Sequence, residues 1–600
     1  DESMGHSGGA AGAGPAGKPS RLYGEILVAA FAAIIFLGCI ISPPSLMDDV
    51  DAVQAQIARN MLQSGDWVTA RLDGVAYLEK SPLKYWMMAV SMAIFGPHDW
   101  AARLPLALAV VLLAWVTTRF GMWAFGERAG VYSGLTLATC IGLFLFTRIQ
   151  IPDAILTLAI TIALWSLVRA LEVGEPRPAL WAYAMWASIG VGLLLKGLIA
   201  AVFPAAAGLL FLFFTRGDWR RLRPFSGIML LLAIAAPWHV LATIRNPPYF
   251  DFTMHSEAGS YRGFFWFYFF NEHILRFLNK RHPRDYNTVP RVLFWLFHLL
   301  WLFPWSAYLP AAFTGTFGRN DRASRVRLLA LCWIGFILTF FTFSTTQEYY
   351  SMPGYPALAL LIGSALARGG KAIQWGTRAI AVVATLALAA IAGILVKVWN
   401  LPAPGDIAAA LTQNPDVYTL SLGHMTDLTM SSFAYLRLPL IVAGAAFLIG
   451  AASAWGLQGH RAVIGIAVMM MLFFHAARLA LVVFDPYLGS RPLAEALNQA
   501  PPGKLIVDDQ YYSFSSVFFY TNRTALLLNG RVNNLEYGSY APGAPQVFLD
   551  DGGFARLWNG PERYYLVAAL PAIPRFEKIV AKQTLHLVRA SGGKFVFTNR

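Results

Sequence analysis

The sequence predicts a multi-span α-helical membrane protein with about thirteen transmembrane helices and a C-terminal soluble α/β domain. Three observations carry this. Charged residues make up only 13% of the 600 residues, and 57% are hydrophobic; soluble domains carry about 25% charged residues. Apolar runs recur along the chain, each near the ~20 residues a helix needs to cross a bilayer. They accept Gly and Pro and show no alternating pattern, so they read as helices rather than barrel strands. From residue 485 the texture changes to short β-branched and aromatic runs between Gly, Pro and Asn turns.

Taken in order, residues 1–22 are Gly/Ala/Ser-rich without periodicity and are expected to be a disordered cytoplasmic tail. Spans are expected at 23–42, 100–118, 129–147, 154–170, 180–195, 198–215, 226–243, 291–313, 328–343, 353–367, 379–397, 436–456 and 462–484. With the N-terminus inside, every cytoplasmic connection is basic, from Arg119 and Arg128 through Arg216, Arg220, Arg221 and Arg223 to Arg461, which fixes the orientation. An odd number of spans places 485–600 on the outer face. There the pattern gives a short helix at SRPLAEALNQA, then strands at KLIVDD, SVFFY, ALLLN, QVFLD, RYYLVAA and TLHLVRA.

The outer face collects the polar segments 43–99, 244–290, 343–353 and 398–435. The segment 244–290 carries Arg245, Arg262, Arg276, Lys280, Arg281 and Arg284 on the side that is normally poor in positive charge. Two readings stay open: a loop of this length escapes the charge rule, or the charges bind anionic lipid or phosphate. Residues 52–63, 84–95 and 264–270 read as interfacial amphipathic helices. Much of the net charge of +14 is topology signal on cytoplasmic loops, so it is weak evidence for nucleic acid, which is not expected as a partner. The three cysteines, Cys39, Cys140 and Cys332, lie in apolar runs and form neither a disulfide framework nor a zinc spacing.

Chemistry is expected in residues 43–84. This stretch holds Asp48, Asp49 and Asp51, a Gly65-Asp66-Trp67 turn, and Glu79-Lys80-Ser81-Pro82. Further charges sit at outer helix ends: Asp153 just before the fourth span and Lys196 between the fifth and sixth. Each has an ordinary explanation, since an acid caps a helix N-terminus and a lysine snorkels. Their convergence on one face points instead to a buried polar cavity. Carboxylates opposite Lys and Arg at an outer membrane surface suit group transfer from a lipid phosphodiester. Such a leaving group needs cations to stabilise its charge rather than a proton, and a carboxylate can orient or deprotonate the acceptor or stabilise a sugar cation.

An ordered set of motifs carries a resemblance. Asp48-Asp49, ML…GDW…YLEKSPLKYW (61–86), LLLKG (193–197), PWHV (237–240), NEHILRF (271–277) and FSTTQEYYSMPGYPALAL (343–360) together resemble the GT-C polyprenyl-phosphate-dependent glycosyltransferases. The closer likeness is to the bacterial lipid A 4-amino-4-deoxy-L-arabinose transferases, relatives of the protein O-mannosyltransferases. The resemblance implies a GT-C membrane domain over 23–484 and a periplasmic α/β domain over 485–600, in a bacterial inner membrane. It implies transfer of aminoarabinose from undecaprenyl phosphate to a lipid A phosphate, which lowers surface charge and gives resistance to cationic peptides.

By the same resemblance, Asp48, Asp49 and Asp153 are the candidate catalytic acids, with Asp48 first. Lys80, Lys196, Arg276, Tyr77, Tyr349 and Tyr350 are candidates for phosphate. Glu79 and His255 are candidates for a divalent metal ion. The expected partners are the undecaprenyl-phosphate-linked donor, lipid A and membrane lipids, with the chain a monomer. The chain departs from the pattern with Gln347-Glu348 where relatives often have Lys, and with Asp51 where Arg is common. Two alternatives stand: another GT-C enzyme moving mannose or galacturonic acid to protein or lipid, and a lipid-linked sugar transporter or flippase. The second predicts charges at the bilayer midplane and inverted repeats, and the sequence shows neither.

Overall fold

The computed structural model describes residues 20–285, 288–344, 346–414 and 423–600. Residues 1–19 of the expected tail lie outside them, and residues 20–22 already belong to the first helix, Ser20–Ala32. The fold is 67% helical. All thirteen predicted segments are helical. Eight of them pass alone as membrane spans by length and hydropathy, from Arg21–Ile41 to Gly459–Leu488, and a ninth forms if Arg291–Trp301 and Trp305–Ala312, bent by 98°, count as one. The other four are shorter or broken: Glu127–Ala138 with Ile141–Phe146, Pro178–Leu193, Ile199–Thr215 and Tyr355–Arg368.

The helix Val50–Ser64 is not an interfacial helix. Asp51, Gln54 and Gln56 are buried along with Ala52, Val53 and Ile57. The reason is tertiary: its apolar residues join Leu493, Val517, Phe518 and Val567 of the C-terminal region in one hydrophobic core. An interfacial reading needs one face left for lipid, and here the C-terminal region takes it.

Residues 504–598 hold a six-stranded sheet. The small hairpin upstream is β1 (Arg71–Leu72) with β2 (Val75–Ala76), so the sheet strands are β3 (Lys504–Asp508), β4 (Leu526–Leu528), β5 (Phe548–Leu549), β6 (Tyr564–Ala569), β7 (His586–Ser591) and β8 (Lys594–Thr598). Their order is β5-β4-β3-β6-β8-β7. The central pairs are parallel, with Val507 opposite both Leu527 and Val567, while β8 runs antiparallel to β6. The run SVFFY, expected as a strand, is the helix Ser515–Thr521. Short apolar runs do not reveal their period, and a parallel β3–β4 pair requires a crossover element between its strands. The strand β8 (KFVFT) was not anticipated. Its residues Val596 and Phe597 face the core as the antiparallel neighbour of β6.

Candidate active site

Residues 43–49 turn between the first helix and the C-terminal region, and the three aspartates part company there. Asp51, one residue into the helix, is buried; it pairs with Arg103 at 3.2 Å and accepts from the backbone N–H of Met47 and Gln150. It ties the loop to its neighbours. Asp48 turns toward the C-terminal region. Its carboxylate accepts from Ser490 Oγ at 2.6 Å, from Ser516 N and Oγ at 2.9 and 2.7 Å, and from Lys594 Nζ at 3.0 Å. Asp49 turns the other way and lines a polar cavity. Its backbone holds φ at +69°, a costly conformation for a non-glycine residue. It is pinned there by Asp49 N donating to Tyr512 O at 2.8 Å and by Ser515 Oγ donating to Asp49 O at 2.9 Å. Asp49 Oδ1 is buried and finds no hydrogen-bond partner among the described residues. Burial, and then the charge of Asp48, push this carboxyl up to about 7.

Around the same cavity stand Asp153, Lys196, Glu79, Lys80, Tyr77, Tyr349 and Arg276. Asp153 opens the helix Asp153–Leu171 and forms an ion pair with Lys196. Lys196 lies in the turn before Ile199–Thr215, its ammonium 5.1 and 5.0 Å from the ring centres of Tyr349 and Tyr350. Burial lowers its pKa. Arg276 donates to Tyr350 Oη at 2.8 Å and to Asp285 at 2.9 Å. Its neighbour Arg281 grips Glu272 with contacts of 2.7 and 2.6 Å. Lys80 differs from these cations: it lines the cavity with no hydrogen bond or ion pair among the described residues, and burial, with Arg276 nearby, lowers its pKa to about 8.

The C-terminal region supplies part of the wall. Asn534 Nδ2 donates to Glu79 Oε1 at 2.6 Å, and the hydroxyls of Tyr77 and Tyr512 meet at 2.7 Å. Burial, and then the Glu272 charge, raise the Glu79 pKa. His255 stands elsewhere, 65% exposed and 2.9 Å from Glu257. No group of three or more His, Cys, Asp or Glu side chains among the described residues is arranged to hold a metal ion. Of the two candidate metal ligands, Glu79 lines the cavity and His255 does not.

An apolar groove of about 380 Å³ opens beside the polar cavity, lined by Ile199, Val202, Phe277, Phe340 and Phe341. Lys196 and Arg276 line both spaces. The groove therefore ends at two cations, the arrangement a lipid tail carrying a phosphate requires. Sequence reasoning missed Tyr512, Asn534 and Asp285 as wall residues and named Arg281 only as one of the basic residues of 244–290. Arg281 and Asp285 sit in the basic segment 244–290, where the misplaced positive charge was a usable signal. Tyr512 and Asn534 carried none.

A helical multi-pass membrane body, with a polar cavity beneath the loops at one end and a C-terminal sheet against them, is an ArnT-like GT-C fold. The particular likenesses agree. The structure superposes on the crystal structure of ArnT from Cupriavidus metallidurans bound to undecaprenyl phosphate with a TM-score of 0.75 and 22% identity, covering 96% of this chain and 98% of that one. Residues 79–240 match the family model of dolichyl-phosphate-mannose-protein mannosyltransferases. Two undecaprenyl phosphate-α-4-amino-4-deoxy-L-arabinose arabinosyl transferases are also similar. The Pseudomonas aeruginosa protein is 31% identical over 52% of this chain and 54% of its own length, and the Pseudomonas fluorescens protein 30% identical over 53% and 52%. The chain thus spans about half the length of the curated relatives it matches.

Proposed function

We propose that this protein is a glycosyltransferase that moves 4-amino-4-deoxy-L-arabinose from undecaprenyl phosphate to a phosphate of lipid A at the periplasmic face of the bacterial inner membrane. The observation that carries the reading is the junction of the apolar groove with the polar cavity at Lys196 and Arg276. The polyprenyl tail takes the groove. Its phosphate rests against Lys196, Arg276 and the Tyr350 hydroxyl, and Lys80 offers the unpaired cation. The sugar enters the cavity between Asp49 and Asp153.

In the reaction the bond from the sugar's anomeric carbon to the donor phosphate oxygen breaks, and its electron pair stays on that oxygen. The lysine and arginine charges stabilise the resulting polyprenyl phosphate, so no acid is needed. A phosphate oxygen of the acceptor forms the new bond to the anomeric carbon. It already carries negative charge, so the carboxylates work by stabilising positive charge on the sugar and by orienting the acceptor. In this scheme Asp49 takes the place that sequence reasoning offered first to Asp48, and Asp48 is a positioning residue.

Purified protein in lipid nanodiscs, given undecaprenyl-phosphate aminoarabinose and lipid A, is expected to yield lipid A heavier by one amino sugar by mass spectrometry. Movement of the donor across a bilayer without covalent transfer would defeat the reading in favour of a flippase. Transfer of mannose or galacturonic acid but not aminoarabinose would keep the chemistry and change the sugar.

A further inference from the structure

The C-terminal end of the first span, Arg21–Ile41, meets a second group of cations that the transfer chemistry does not use. The chain makes a π-helical turn over Ala33–Leu37, a break in the helical ladder that is frequent at functional sites. His475 of the last span, Gly459–Leu488, answers it: His475 Nε2 donates to Ile34 O at 3.0 Å. The other ring nitrogen, Nδ1, accepts from Arg478 Nε at 3.4 Å, and Arg478 Nη1 donates to Ser42 O at 3.0 Å. Arg148, in the turn that leads to Asp153, joins them. It lies beside the Cys39 thiol. Its guanidinium stands 5.1 Å from the ring centre of Phe144, which stacks on Phe474 at 4.4 Å. Arg148, His475 and Arg478 therefore gather around residues 38–42.

This cluster has charge without counter-charge. Neither arginine forms an ion pair with a carboxylate among the described residues. Asp51, whose field reaches Arg148, is already held by Arg103 at 3.2 Å. Nη1 and Nη2 of Arg148 and Nη2 of Arg478 carry no hydrogen bond there and are not buried, so a ligand can reach them. Capping accounts for the contact of Arg478 with Ser42, since the last carbonyls of a helix lack partners. It leaves Arg148 and Nη2 of Arg478 unexplained, and charge beside a span is costly without a partner. The flanks are apolar. Ile34 and Ile41 of the first span are 49% and 88% exposed, and Val482, four residues beyond Arg478, is 41% exposed; residues spaced by four or seven share a helix face.

We propose that Arg148 and Arg478 bind the phosphate of an anionic phospholipid whose acyl chains lie along Ile34, Ile41 and Val482. A phosphodiester offers two oxygens to two guanidiniums, and the chains cover the exposed apolar side chains. A soluble anion lacks that second half. A zwitterionic headgroup brings its own cation to a site that already holds two. The bound lipid braces the end of the first span, from which the chain runs directly to Asp49.

The test is native mass spectrometry of the full chain in detergent, titrated with dioleoyl phosphatidylglycerol and separately with dioleoyl phosphatidylcholine. The first equivalent of phosphatidylglycerol is expected to bind about tenfold more tightly than phosphatidylcholine. Arg148→Gln removes no side-chain hydrogen bond, so it is expected to leave the fold intact and to weaken phosphatidylglycerol binding about tenfold, the effect of one charge-assisted contact. Arg478→Gln is expected to do the same; it also loses the Ser42 contact, so Arg148→Gln carries the test if Arg478→Gln folds poorly. Arg220→Gln changes an exposed arginine of another loop and is expected to leave the affinity unchanged. Equal affinity for the two lipids, or parental affinity in Arg148→Gln, would overturn the proposal. So would an equal loss in Arg220→Gln, which would show only a general attraction of a basic protein for acidic lipid. Displacement of phosphatidylglycerol by equimolar lipid A would overturn the phospholipid as occupant and assign the site to the acceptor. No sugar transfer enters the measurement, so its failure is distinct from failure of the transferase reading.

Discussion

The raised pKa of Asp49 gives the sharpest prediction, a transfer rate that peaks between about pH 7 and 8. Asp49 acts as an anion whether it stabilises a sugar cation or orients the acceptor. Its carboxyl titrates near 7 because burial and Asp48 disfavour the charge. Below 7 the working form falls tenfold per pH unit, so at pH 5.5 the rate should be about 30-fold below its plateau. On the other limb Lys80 works as a cation and titrates near 8, so donor use should weaken above that. The acceptor phosphate titrates near pH 6 and adds its own step. Asp49→Asn separates the two. It should lower the plateau by about 10²–10³-fold, the range for losing one electrostatic stabiliser of the transition state, and remove the step near 7 while the step near 6 remains. The assay is initial-rate mass spectrometry of lipid A in nanodiscs from pH 5 to 9. A variant that keeps both the rate and the step near 7 would refute the role of Asp49.

Four further outcomes follow from named contacts. Lys196→Met leaves Asp153 as an uncompensated buried charge, worth about 3–5 kcal/mol; Lys196→Met with Asp153→Asn should restore the unfolding midpoint but not transfer, and recovery of transfer would remove the pair from the site. Val202→Trp narrows the groove and should raise KM for the polyprenyl donor while sparing a short-chain analogue; equal effects on both would show that the tail lies elsewhere. Asp48→Ala removes four hydrogen bonds to the C-terminal region, so protease should reach residues 485–600 sooner, and unchanged cleavage would refute the tie. For Asp73, buried at the tip of the β1–β2 hairpin, the sign runs from its folded value, which burial raises: the stability it gives is full below pH 3.8 and is lost as pH rises through about 7. Asp73→Asn escapes that loss, so its thermal midpoint should exceed the parent's at pH 8.5 and not at pH 5, and the opposite order would contradict the burial argument.

The contacts of Asn534 and Tyr512 also bear on the C-terminal region. A chain ending at residue 484 would lose the partners of Glu79 and Tyr77 and the backbone anchor of Asp49. The proposed chemistry therefore needs residues 485–600 in place.

The sequence alone determined what depends on local composition. Thirteen apolar segments and their basic connections gave the helical membrane body, because a bilayer demands length and apolarity within one segment. It also singled out Lys80 and Lys196, since charge beside a span is costly enough to stand out, while their candidacy for phosphate, and that of Arg276, came from the family resemblance. Tertiary structure alone decided which way Asp48, Asp49 and Asp51 point. Three aspartates within four residues have the same chemistry, and only the partners that fold against them distinguish them: Arg103 for Asp51, Ser490, Ser516 and Lys594 for Asp48, and the open cavity for Asp49. Those partners are up to 546 residues away in the chain, beyond the reach of any local pattern. The same holds for Val50–Ser64, whose amphipathic text reads as lipid-facing until the C-terminal region covers it.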